Sequence, residues 1–177
     1  MFKGIKDKFK QRSALKFFKR EIDKPITAPK RKKGIASVGC IVDIDTFEDT
    51  NVFYELVEEF SLRPNAVKII GYKKEYDKNS PYSTPVFSNK DLGWNGDIEN
   101  SYALEFLGRE YDLLINYFDG DNLMMQLLSL KTRAKIRVGF KTVDKRLNDL
   151  ILDVPYTDFK MFKQELKKYL KVLKELD

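Results

Sequence analysis

Two pairs of aspartates stand where chemistry could be done. Asp43 and Asp45 close the apolar run IASVGCIVDI at 35–44, and Asp119 and Asp121 follow a second run, LLINYF, at 113–118. Carboxylates two residues apart at a strand end can hold Mg²⁺ together with phosphate oxygens, or divide the roles of nucleophile and acid/base. Composition excludes much else. The 177 residues include no His and one Cys, so Ser-His-Asp and Cys-His systems, imidazole catalysis and His-based zinc sites have no members to draw on. The turn VDIDTFEDTN places Asp43, Asp45, Glu48 and Asp49 where a dinucleotide binder needs glycines, and these charges repel a pyrophosphate. No G-x-x-x-x-G-K-[ST] loop occurs, and no cofactor is expected. With no nucleophile-base pair in view the chain reads as non-enzymatic. The alternative is Mg-dependent phosphatase-like chemistry at Asp43 and Asp45, with Asp119 and Asp121 as further metal ligands.

The formal charge of +6 hides a division along the chain. Residues 1–33 hold 13 Lys/Arg against three Asp/Glu, which leaves 20 against 24 for residues 34–177. Such asymmetry calls for a polyanionic partner. The candidate contacts are Lys3, Lys6, Lys10, Arg12, Lys16, Lys19, Arg20, Lys30, Arg31, Lys32 and Lys33. RNA or a ribonucleoprotein is the expected partner, with lysines on phosphates and phenylalanines on bases. An anionic membrane surface is the alternative, weakened because the apolar residues fall into two sets: Phe2, Ile5 and Phe9 share one helical stripe, and Leu15, Phe18 and Ile22 another. A helical break near 11–13, with Ser13 capping the second segment, accommodates both sets. A single Cys and the absence of a spanning apolar stretch or signal-like start point to a cytoplasmic protein.

The elements that position these residues alternate. Strands are expected at 35–44, 67–72, 86–88, 113–118, 136–140 and 150–154, with helices at 52–60, 102–107, 122–131 and after 157. Asp121 is the expected cap of the third of these helices. Two-sided strands alternating with helices specify a Rossmann-like, doubly wound, mainly parallel α/β sheet at 34–177, preceded by a basic helical N-terminal extension and linker at 1–33. At the winding reversal of such a sheet the end of the first strand lies beside the end of the 113–118 strand, so the ligand crevice should have an acidic rim of Asp43, Asp45, Asp119 and Asp121. The lysine knot 30–33 belongs at the opposite edge.

Three resemblances sit on particular residues. IVDIDTF at 41–47 resembles the first motif of haloacid dehalogenase-like phosphatases, which implies Asp43 as nucleophile and Asp45 as acid/base; FDGDN at 118–122 resembles that family's later acidic motif. The stretch YDLLINYFDGDNLMMQLLSLKTRAKIRVGF at 111–140 resembles part of the amino-terminal domain of heptosyltransferase-type glycosyltransferases. That likeness implies strand-helix-strand with Gly139 at a tight strand end, and a fold relationship without the activity. End to end, the K-F-K-rich start, the loop LGWNGDI at 92–98, YDLLINYF and FKQELKKYLKVL resemble an uncharacterised Bacteroidota family of small proteins, a domain of unknown function.

Other conspicuous residues have ordinary expectations beside sharper ones. Cys40 reads as a buried thiol, Trp94 as a plug beneath a loop, and Met124 and Met125 as core filling. The stripe Phe159, Phe162, Leu166, Tyr169, Leu170, Leu173 and Leu176 should pack on the sheet, with a homodimer seam as the alternative.

Overall fold

The computed structural model describes residues 2–77 and 79–177. Its elements in chain order are α1 (Phe2–Glu21), β1 (Val38–Asp43), α2 (Glu55–Glu59), β2 (Val67–Tyr72), β3 (Val86–Phe87), α3 (Ser101–Leu107), β4 (Glu110–Tyr117), α4 (Leu123–Lys131), β5 (Arg133–Phe140), β6 (Leu150–Leu152) and α5 (Phe159–Val172). The strands form one six-stranded sheet in the order β3-β2-β1-β4-β5-β6, with every pairing parallel. β1 pairs with β2 on one side and β4 on the other, so the winding reverses between β1 and β4, the doubly wound pattern expected of two-sided strands.

Each face of the sheet carries its own core. Ile41, Ile70, Leu114 and Phe118 meet Ala103 and Phe106 of α3, Leu127 and Leu128 of α4, and Ala14 and Phe18 of α1. On the other face Cys40, Val42, Ile69, Ile115 and Val138 meet Leu56 of α2 and Phe162, Leu166 and Leu170 of α5. Met124 and Met125 are buried in the first core, and burial pushes the Cys40 thiol up in the second. α5 therefore lies on the sheet, although Tyr169 and Leu173 turn outward rather than joining the buried stripe.

The amino-terminal segment differs from expectation. α1 is one unbroken 20-residue helix. Ser13 caps nothing: in mid-helix its hydroxyl donates to the Lys10 carbonyl at 2.9 Å and accepts the Asn95 N–H at 3.1 Å. The two apolar sets arise because the two halves of one helix face different surroundings. Of the second set Phe18 and Ile22 are 6 and 3% exposed within the first core, where Ala14 joins them, but Leu15 is 42% exposed outside it; residues 2–9 are all exposed. The loop 92–98 is the seat for the docked half, closed by a Leu92–Ile98 bridge and a 2.8 Å bond from the Gly93 N–H to the Asp97 carbonyl. Gly96, at φ +76°, passes so close beneath α1 that a Cβ would lie 2.9 Å from Phe17. Trp94 does not plug the sheet; it is 47% exposed on the outside of this loop.

Capping also departs from expectation at α4. Asn122, not Asp121, accepts the Met125 N–H at 3.2 Å, leaving Asp121 exposed. Asn100 and Asp158 cap α3 and α5 in the same way, through the N–H groups of Ala103 and Met161.

Candidate functional site

The carboxyl edge at the β1/β4 reversal brings together the residues singled out by spacing. Asp43 ends β1, and its Oδ1 accepts the Asp45 N–H at 3.1 Å. Asp45 reaches across to the chain after β2, where it accepts from Lys73 Nζ at 3.0 Å and from the Lys74 N–H at 2.7 Å. Burial raises the Asp45 carboxyl, but these two donors outweigh it and hold the group below its ordinary value. Asp43 shifts the other way, raised by burial and by the neighbouring Asp45 charge.

Two tyrosines that read as plain apolar positions in the sequence complete this edge. Tyr117, at the end of β4, donates to the Tyr156 carbonyl at 2.7 Å, while the Tyr156 hydroxyl lies 3.0 Å from Thr46 Oγ1 and 3.4 Å from the Asp43 carbonyl. The Tyr156 phenol is pushed up to about 12 by burial, with Asp43 and Asp119 both adding to the effect. In the β1/β4 register Val42 lies beside Tyr117, so Asp43 and the chain leading into Asp119 leave the sheet at one edge. It is floored by aromatic rings, Tyr117 lying about 5 Å from Phe47, Phe53, Phe140, Tyr156 and Phe162.

The rim does not converge on an ion. Among the described residues no group of three or more His, Cys, Asp or Glu side chains is placed to hold a metal, and Asp43, Asp45, Asp119 and Asp121 are not gathered into one such group. Asp45 is committed to Lys73 and the Lys74 backbone, and five surface clefts of about 220–640 Å³ are lined without any of the four aspartates. In this arrangement Asp43 and Asp45 shape the turn after β1 and tie it to the turn after β2.

The basic candidates divide. Arg31 is anchored by Asp112, its Nε donating to Oδ1 at 2.5 Å, and Lys135 pairs with Glu175 at 2.7 Å. Of the basic knot at 30–33 only Arg31 is thus drawn into the ion pairs at the amino edge of the sheet. Lys10 lies 3.7 Å from Glu99 and Arg20 2.8 Å from Glu21. Lys3, Lys6, Arg12, Lys16, Lys19, Lys30, Lys32 and Lys33 are exposed and make no ion pair among the described residues. At 3.6 residues per turn Phe2, Ile5, Phe9, Arg12, Lys16 and Arg20 form one line on the side of α1 turned away from the sheet. The line is apolar toward its amino end, with Phe2 89%, Ile5 49% and Phe9 53% exposed, and cationic beyond.

No helix among the described residues is long and apolar enough to cross a membrane. No curated protein and no solved structure matches the chain. One family model matches residues 10–173, from the turn where α1 meets the protein to the end of α5, and by that match the chain belongs to DUF6913, a family of unknown function.

Proposed function

We propose that the chain is a non-catalytic docking protein that settles on an anionic membrane surface through the outward line of α1. The observation that carries this reading is the opposed orientation of the two apolar sets. Phe18 and Ile22 are occupied by the core, so Phe2, Ile5 and Phe9 form an uninterrupted apolar stripe flanked by Lys3, Lys6 and Lys8 with no core residue to cover it. Two sets weigh against a membrane only if both face outward, and the core holds Phe18 and Ile22. In-plane helices bury such a stripe at the headgroup boundary, and each nearby Lys or Arg adds about 1 kcal/mol on an anionic leaflet. Within this reading the protein works at the cytoplasmic leaflet, and its likeness to glycosyltransferases and to Bacteroidota proteins concerns ancestry and fold rather than chemistry.

RNA or a ribonucleoprotein is the second reading, favoured by one feature. Cations continue along α1 past the apolar stripe, through Arg12, Lys16 and Lys19, as a phosphate track would require. Co-sedimentation of the full chain with phosphatidylserine-containing vesicles, with phosphatidylcholine vesicles alone and with RNA separates the two. Binding to the anionic vesicles that is lost in the Phe2→Ser/Phe9→Ser variant supports membrane docking. RNA binding that survives that variant and falls steeply with salt supports the second reading, and retention by neither surface ends both.

A further inference from the structure

The sheet has an opening at β2. β3 pairs with β2 only at Gly71↔Val86 and Tyr72↔Phe87. The direction of the backbone groups follows from the bonds around it. The Ala66 and Tyr72 carbonyls accept from Val38 and Ile44, so even-numbered residues of β2 face β1. The N–H groups of Gly71 and Lys73 donate to the carbonyls of Pro85 and Phe87, so odd-numbered residues face outward. By that alternation Val67 and Ile69 direct their N–H and C=O groups away from β1, into the space that a longer β3 would fill.

Pro85 is why β3 is not longer. The next rung of the ladder needs the N–H of residue 85 to reach the Ile69 carbonyl, and proline has none. A groove of about 380 Å³ runs along this stretch of edge. Tyr54 and Pro64 wall it on the α2 side and Tyr102, Phe106 and Arg109 on the α3 side. Val67 and Ile69 lie at its floor, 3 and 6% exposed, while Tyr54 and Tyr102 are each 49% exposed at the lip.

We propose that this edge accepts a short extended peptide from a partner protein, which adds to β2 as a strand end to end with β3. The occupant's chemistry follows from the walls. Successive residues of a strand point to opposite faces, so one set of side chains meets Tyr54 and Pro64 and the other meets Lys68, Tyr102 and Arg109. Lys68 makes no ion pair among the described residues and Arg109 pairs with Glu105 alone, which leaves that wall with excess positive charge. The complementary peptide alternates β-branched apolar residues with Asp or Glu. A second copy of the chain is a poor occupant, because its own β2 edge is recessed between the same walls and these meet before the backbones do.

The test uses the full chain, isotope-labelled, and a pool of blocked hexapeptides with Val, Ile or Thr at odd positions and Asp or Glu at even positions. Saturable shifts of the Val67 and Ile69 amide resonances are expected. Methylating alternate peptide nitrogens should weaken binding at least tenfold, and Lys68→Glu at least fivefold, with a gain for the pool carrying Lys in place of the acids. Pro85→Ala supplies the missing N–H and should also weaken binding by letting β3 extend. Absence of saturable binding by the acidic pool, or indifference to nitrogen methylation, overturns the proposal. Concentration-dependent dimerisation that shifts the same two amides overturns it in favour of self-pairing.

Discussion

Arg31 and Asp112 hold the chain entering the sheet against the start of its central strand. Arg31 Nε donates to Asp112 Oδ1 at 2.5 Å, and Oδ2 of the same carboxylate accepts the N–H groups of Ala36 and Ser37 at 2.8 and 3.1 Å. Burial raises this carboxyl, but Arg31 and the Ala36 N–H outweigh it and leave it below its ordinary value. A carboxyl lowered in the folded state contributes stability that is present above its unfolded value and lost as pH falls through the folded one. Asp112→Asn should therefore cost about 1–3 kcal/mol at neutral pH. The difference from the native chain should shrink on acidification below the ordinary carboxylate range, as read from urea unfolding at a series of pH values.

Deletion of residues 2–9 should leave stability nearly unchanged, because none of their side chains is buried. Deletion of residues 1–33 is different. Although the apolar runs of the sheet all begin after Gly34, this deletion removes Phe18, Ile22 and Arg31 and uncovers the faces of Ile98 and Leu127. Phe18→Ala alone should cost about 3–5 kcal/mol. Thermal unfolding of the two truncations side by side checks the contrast.

Gly139 illustrates both what the sequence shows and what it hides. Only the resemblance of the stretch at 111–140 to a glycosyltransferase domain implied a tight position there. Its tightness has a cause in a distant residue: a Cβ would lie 2.5 Å from Asn148 Nδ2, on the amide whose Oδ1 accepts from Asn116 Nδ2 at 2.8 Å. Gly139→Ala must push Asn148 aside and should cost about 1–3 kcal/mol, seen as a lowered midpoint in denaturant with an unchanged slope.

Arg137 is buried at 3% exposure and donates to the carbonyls of Ser129 and Thr132, which closes the carboxyl end of α4 onto β5. Burial holds its guanidinium down at about 10. Arg137→Lys should destabilise nearly as much as Arg137→Ala, since one ammonium cannot reproduce a planar fork aimed at two carbonyls. Matched urea titrations of the two variants measure this.

The legible parts of the fold were those in which apolar residues report burial on both sides. The centres of β1, β2, β4 and β5 and the buried face of α5 fall into this class. The starts of β4 and β5 were hidden because Glu110, Asp112, Arg133 and Lys135 interrupt the apolar runs, whereas in the fold they pair with one another, with Arg31 and with Glu175. The unbroken α1 was hidden because its two halves meet different surroundings, so its apolar residues do not share one stripe. That the ends of β1 and β4 share one edge followed from strand order alone. Tyr117 and Tyr156, which floor it, carry no signal that separates them from core aromatics.

The position of β1 between β2 and β4 also governs the order in which the sheet can close. Residue 38 pairs with residue 67 across one short crossover, but with residue 113 only after the whole of β2, β3 and α3 has been made. During synthesis the edge of β1 that bears the backbone groups of Gly39 and Ile41 must wait, unpaired, for YDLLINYF to emerge. Closure entropy rises with the longer loop, so joining β4 to β1 is the slow event and the interval before it is the one exposed to aggregation.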